Sequence, residues 1–170
     1  MATHRIALFG PATLPDTSGN VFLEPSSVKD ANDLYPGLIL IFNDTATRLL
    51  IRGRRRIPAN YVGSARIKGR WWTTATTGNA RWEFDYRAIA DGESADPTTN
   101  QESVGQTQAA PGTARLYEEF DMALTSANIA VDDMLQFALV RDGAEAGPAD
   151  TIAAALSVDL ESVVLEYSDA

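Results

Sequence analysis

The sequence of 170 residues contains no cysteine and a single histidine, His4. The first absence removes disulfide frameworks, thiol nucleophiles and cysteine-ligated zinc, and it leaves the redox compartment unreadable. The second leaves a Ser-His-Asp triad or a histidine-rich metal site almost nothing to build on. Long apolar runs are missing too: none approaches the roughly 18 residues of a membrane span. The stretch Ile6-Ala7-Leu8-Phe9 before Pro11 is also too short for a signal peptide. A soluble, unexported chain with no membrane partner is expected. Helical periodicity is nearly absent, which argues against a bundle.

What is present is strand periodicity. From Ala80 to Ala90 the even positions Ala80, Trp82, Phe84, Tyr86 and Ala88 are apolar, while Arg81, Glu83, Asp85 and Arg87 alternate with them. Period two of this kind marks a strand buried on one face. Three aromatic rings on that face bury roughly 150–250 Å² each, so a second layer must cover them.

Further strands are expected at 38–42 (Leu-Ile-Leu-Ile-Phe), 48–52, 65–72, 116–124, 134–141 and 157–167, with an edge strand at 102–108. Residues 53–63 read as a loop broken by Pro58 and Gly63, and 73–79 as a hairpin loop in which Gly78-Asn79 supply positive φ. The long polar stretch 91–113 is of a length usually reserved for function or mobility. Thr125 to Ala130 is consistent with one helical turn capped by Thr125 or Ser126, residues 142–150 with a turn-rich loop, and 151–156 with either strand or helix.

These signals predict an all-β chain: an antiparallel, jelly-roll-like β-sandwich of two four-stranded sheets over residues 37–170. An extended N-terminal arm precedes it over 1–36, where Pro11, Pro15, Pro25 and Pro36 interrupt every apolar patch. The arm is suited equally to its own domain and to a neighbouring subunit. A lipocalin-like barrel is the alternative, less suited to the long connection at 91–113.

Charge is unevenly placed. Up to Arg70 there are ten basic and five acidic residues; beyond it four basic residues face eighteen acids, within a net charge of −9. Arg54-Arg55-Arg56 and the alternating Arg66, Lys68 and Arg70 form the basic features, which suit an acidic protein partner better than nucleic acid in so acidic a chain. Trp71 and Trp72 offer a stacking or sugar platform if either is exposed, although adjacent strand residues point to opposite faces and at least one belongs in the core.

Carboxylate pairs such as Glu118/Glu119 and Asp132/Asp133 occur without any glycosidase motif. The acidic loops at 91–96 and 142–150 match no calcium-loop spacing. No catalytic residue, metal or cofactor is expected.

The ordered pieces Arg56-Ile57-Pro58-Ala59-Asn60-Tyr61, Trp72 to Trp82, Ala109 to Arg115, Leu124 to Ile129 and Val140-Arg141-Asp142-Gly143 resemble small all-β virion proteins of tailed bacteriophages, over roughly residues 37–168. The resemblance implies a non-enzymatic structural protein. Its first form is a capsid decoration (cement) protein on the outside of the head, bound to the major capsid protein, with a homotrimer preferred and a virion assembled in the host bacterial cytoplasm. The alternative is a tail- or fibre-associated module that binds a host glycan or acts as an adaptor. Arg54, Arg55, Arg56, Arg66, Lys68 and Arg70 are then the expected partner-binding residues.

Overall fold

A computed structural model describes residues 2–8, 14–15, 21–25, 38–42, 48–96, 99–143, 150–152 and 158–169. Eleven strands run in the order β1 Thr3–Ala7, β2 Leu14–Pro15, β3 Val21–Pro25, β4 Leu38–Phe42, β5 Arg48–Arg56, β6 Gly63–Thr73, β7 Asn79–Ile89, β8 Glu102–Ala109, β9 Tyr117–Ala123, β10 Met134–Asp142 and β11 Val158–Ser168. A 3-10 turn, Ser126–Asn128, precedes β10.

The strands form two antiparallel sheets. Sheet A has the order β3-β4-β11-β6-β9, with β1 also on β11, and sheet B the order β2-β5-β10-β7-β8. If β4 to β11 are counted as one to eight, the sheets read 1-8-3-6 and 2-7-4-5, which is the strand order of a jelly roll and excludes an up-and-down barrel. The expected pair of four-stranded sheets is therefore the centre of the molecule. The three short strands before Leu38 enlarge the sheets to six and five strands, β1 pairing β11, β2 pairing β5 and β3 pairing β4.

The alternation of β7 becomes the centre of the core. Trp82 reaches from sheet B into sheet A, with its ring 5.4 Å from Phe42 of β4, 6.2 Å from Trp71 of β6 and 5.2 Å from Phe120 of β9. Phe84 stacks on Phe137 of β10 at 5.4 Å. All six of these aromatic side chains are buried, and burial of each contributes roughly 1.5–3 kcal/mol. Val163, Leu165 and Tyr167 of β11 close the core as expected.

Several local expectations are corrected. Residues 53–56 are not loop: Gly53 opposes Phe137 in register, so β5 runs on through Arg56. A Cβ on Gly53 would lie 2.5 Å from the Phe137 ring, so the glycine keeps the strand flat beneath that aromatic. Of Gly78-Asn79 only Gly78 has positive φ, +94°, while Asn79 already belongs to β7. The strand expected from 116 begins at Tyr117, and Leu116 before it is exposed. Thr125 stands at the N-cap of the 3-10 turn without capping it, since its hydroxyl donates to Glu102 Oε1 at 2.8 Å. Most of the 142–150 loop and of 151–156 lies outside the described residues.

Candidate functional site

Strand alternation that sends Trp82 and Phe84 inward sends their neighbours out. On the outer face of sheet B the register aligns Arg52, Ala138, Asp85 and Ser103 in one row across β5, β10, β7 and β8, and Arg54, Gln136 and Arg87 in the next. A cleft of about 680 Å³ opens over these rows, a size typical of small-ligand sites. Its floor is Arg52, Ala138 and Asp85, flanked by Gln136 and Arg87. Ala138 is what leaves the space: a methyl group stands where neighbouring positions carry long side chains.

The wall comes from the β7–β8 connection, through Asp96, Thr99 and Asn100. This segment leaves β7 by a tight turn in which Gly92 takes φ +88° and the Glu93 amide donates to the Ala90 carbonyl at 3.1 Å. Gln136 Nε2 donates to the Ala95 carbonyl at 2.8 Å and ties the wall to the floor. At the far end the Gln101 amide donates to the Tyr86 carbonyl at 2.8 Å, and Gln101 Oε1 accepts from the Ala88 amide at 3.1 Å.

Next to the cleft, Arg48 is surrounded by acids. Its Nη2 lies 2.7 Å from Glu83 and 3.2 Å from Asp85, and its Nε 2.8 Å from Asp142. Burial alone would lower the Arg48 pKa, but hydrogen bonds and attraction from Glu83 and Asp85 outweigh it and raise the value. Asp85, 7% exposed, also accepts from Ser103 Oγ at 2.6 Å, so its carboxylate is occupied by the protein. Arg81 pairs with Glu83 at 3.3 Å. Arg52 and Arg87 carry no ion pair to any described residue.

The six residues singled out from sequence do not form one surface. Arg66, Lys68 and Arg70 lie on the outer face of sheet A, interlocked with acids and an aromatic ring. Arg66 meets Asp121 at 2.7 Å, Lys68 meets Glu166 at 2.8 Å, and the Arg70 guanidinium sits 4.0 Å above the Tyr117 ring. Arg5 of β1 adds a second cation to Glu166 at 2.7 Å. Hydrogen bonds from Lys68 and Arg5 hold the Glu166 carboxyl below its ordinary value. Arg54, Arg55 and Arg56 stand exposed at the end of β5 in sheet B, where Arg56 approaches Asp132 at 3.2 Å.

The tryptophan platform is overturned. Trp71 is fully buried and Trp72 is 3% exposed, so neither presents a face to a sugar. Among the described residues no group of three or more His, Cys, Asp or Glu is placed to hold a metal ion.

The cleft residues Arg52, Asp85, Arg87, Gln136 and Ala138 were missed by motif reading because they form no linear motif. Their signal was parity: Asp85 and Arg87 share the polar face of β7, Arg52 the polar face of β5, and Gln136 interrupts the apolar β10.

No family model matches the chain, and no curated protein matches it. Solved structures do. The chain is similar to CBM35 from Paenibacillus barcinonensis (TM-score 0.53, 13% identity, 99% of this chain and 100% of that one). It is similar to a family 30 carbohydrate-binding module (TM-score 0.53, 7% identity, 99% and 100%). It is also similar to the CBM22-1 xylan-binding domain from Paenibacillus barcinonensis (TM-score 0.51, 9% identity, 94% and 87%). At these identities the likeness shows the fold: a jelly-roll β-sandwich of the kind seen in carbohydrate-binding modules.

Proposed function

We propose that this chain is a glycan-binding module and that the cleft on the outer face of sheet B is its saccharide site. The observation that carries the reading is the composition of that cleft. Guanidinium, carboxamide, hydroxyl and carboxylate groups from three strands and one loop converge on a space of about 680 Å³ with a small-residue floor. Sugars present many hydroxyls that both donate and accept, and planar polar side chains held by their own second hydrogen bonds suit them. Gln136 is such a group: its Nε2 is fixed on the wall, which leaves its Oε1 as an oriented acceptor. The likeness in fold to carbohydrate-binding modules supports the same reading.

Binding requires no proton transfer, and Asp85 is engaged by Arg48 and Ser103 rather than by a partner acid. The module therefore acts without catalysis in this reading. Nothing in the comparisons indicates a phage particle. A capsid-decoration role, a trimer and the six-residue cationic docking surface rest on the sequence resemblance and the charge distribution, whereas the fold likeness supports the glycan-binding alternative.

Electrophoresis through gels containing soluble polysaccharides tests the proposal. At least one polymer should retard the protein, and Ala138→Trp, which fills the cleft from the outer face without touching the core, should abolish retardation while the thermal melt stays within about 0.5 kcal/mol of the parent. Unchanged retardation in that variant would move the site elsewhere, and no retardation by any polymer would overturn glycan binding.

A further inference from the structure

The same outer face also suggests the chemical class of the saccharide. Four of its cations fall into two groups. Arg48 and Arg81 are bound to Glu83, Asp85 and Asp142 within the sheet. Arg52 and Arg87 line the cleft, and the side chain of neither makes a hydrogen bond or ion pair to a described residue. The two carboxylates facing them do not neutralise them. Asp85 is taken by Arg48 and Ser103, and Asp96 of the wall is exposed and lies beyond ion-pair distance of both.

Two guanidinium groups sharing one cleft repel each other, and nothing in the sheet requires them there. Ala138 shares the row of Arg52 and leaves it open, Arg87 lies in the next row, and both arginines line the same cleft. A guanidinium presents parallel N–H donors that match a carboxylate or a sulfate oxygen pair. The chain as a whole carries −9, so it repels polyanions at long range, and only a local cationic site would let one dock.

We propose, resting on the glycan-binding reading above, that the cleft takes an anionic saccharide whose carboxylate or sulfate group is held between Arg52 and Arg87. Neutral parts of the chain of sugars would lie over Ala138 and against Asn100 and Gln136. Arg52 is exposed and Arg87 half-buried, so salt screens these contacts and binding weakens as it is added.

The test compares polygalacturonate, dextran sulfate, and the neutral polymers galactan and dextran as affinity-gel probes, with the parent, Arg52→Gln, Arg87→Gln and the double variant. An anionic polymer should bind at least about tenfold more tightly than the neutral ones. The double variant should lose that preference while keeping its melting temperature. Preference for polygalacturonate identifies a carboxylate as the ligand group, and preference for dextran sulfate identifies a sulfate. If neutral polymers bind as well as anionic ones, or if the double variant keeps the preference, the anionic assignment is overturned while the glycan site stands. If no polymer binds at any salt concentration, glycan binding fails with it.

Discussion

Trp71 and Gln108 join the two sheets: the indole Nε1–H of Trp71 in β6 donates to Gln108 Oε1 in β8 at 2.9 Å. The amide Nε2 of Gln108 then donates to the Glu119 carbonyl of β9, and Gln106 Oε1 accepts from the Asp121 amide at 2.8 Å. β8 and β9 are the last strands of their sheets, so these glutamines satisfy backbone groups that would otherwise face outward from an edge. Gln108→Ala strands the indole N–H of a fully buried tryptophan, and a cost of about 1–3 kcal/mol is expected. Chemical denaturation monitored by tryptophan fluorescence should show the midpoint falling with an unchanged slope; an unchanged midpoint would mean that water replaces the amide.

A larger loss is expected at Arg141. Its guanidinium is 1% exposed, grips Asp150 through two hydrogen bonds of 2.7 and 2.8 Å, and donates a third to the Phe42 carbonyl at 3.0 Å. Arg141→Ala leaves the Asp150 carboxylate buried without its counter-ion, which costs about 3–5 kcal/mol. The pair Arg141→Leu with Asp150→Asn should be less damaging than Arg141→Ala alone. Thermal melts of the three variants decide it.

Gly69 is fixed by its neighbour rather than by its backbone. A Cβ there would come within 2.0 Å of the Phe120 ring. Gly69→Ala should therefore cost about 1–3 kcal/mol by overpacking, and adding Phe120→Leu should recover part of it. Additive losses in the double variant would show that the two positions do not press on each other.

The pH limits follow from two groups. Burial raises the Tyr86 pKa, and its hydrogen bond to Glu102 raises it further. A group whose pKa is raised by folding stabilises the fold below its unfolded value, so stability is full below pH 10.0 and declines as pH climbs through the folded value. Spectrophotometric titration should show a late phenolate step, and Tyr86→Phe should remove it.

On the acid side the sign reverses. Glu166, held by Lys68 and Arg5, has its pKa lowered, so its contribution is complete above 4.5 and is lost as pH falls below that value. Glu166→Gln should flatten the acid limb of a melting-temperature profile; an unaltered limb would assign acid unfolding to other carboxylates.

Much of the fold could be read from residue alternation. The strands at 65–72, 80–90, 116–124, 134–141 and 157–167 appear in the structure within a few residues, because one-sided burial imposes period two on the chain. The extension of β5 through Arg56 was hidden, since Gly53 and three arginines look like a loop until Phe137 is seen to cover the glycine. The cleft was hidden for a different reason. Arg52, Asp85 and Ala138 are far apart in sequence and meet only through register across three strands, and register is written in pairings that no local window contains. The basic alternation at Arg66, Lys68 and Arg70 was visible, but the acids that occupy it come from β9 and β11, more than 50 residues downstream.

Core and cleft occupy opposite parities of the same three strands: Ile51, Phe84 and Leu139 face in where Arg52, Asp85 and Ala138 face out. The two sets can therefore drift at separate rates. A lineage that exchanges Arg52, Arg87 or Ala138 changes the chemistry of the outer face while the packing that secures the fold is left alone, and one that repacks the interior leaves the cleft as it was. Scaffolds built this way tolerate wide change on one parity while the other stays fixed.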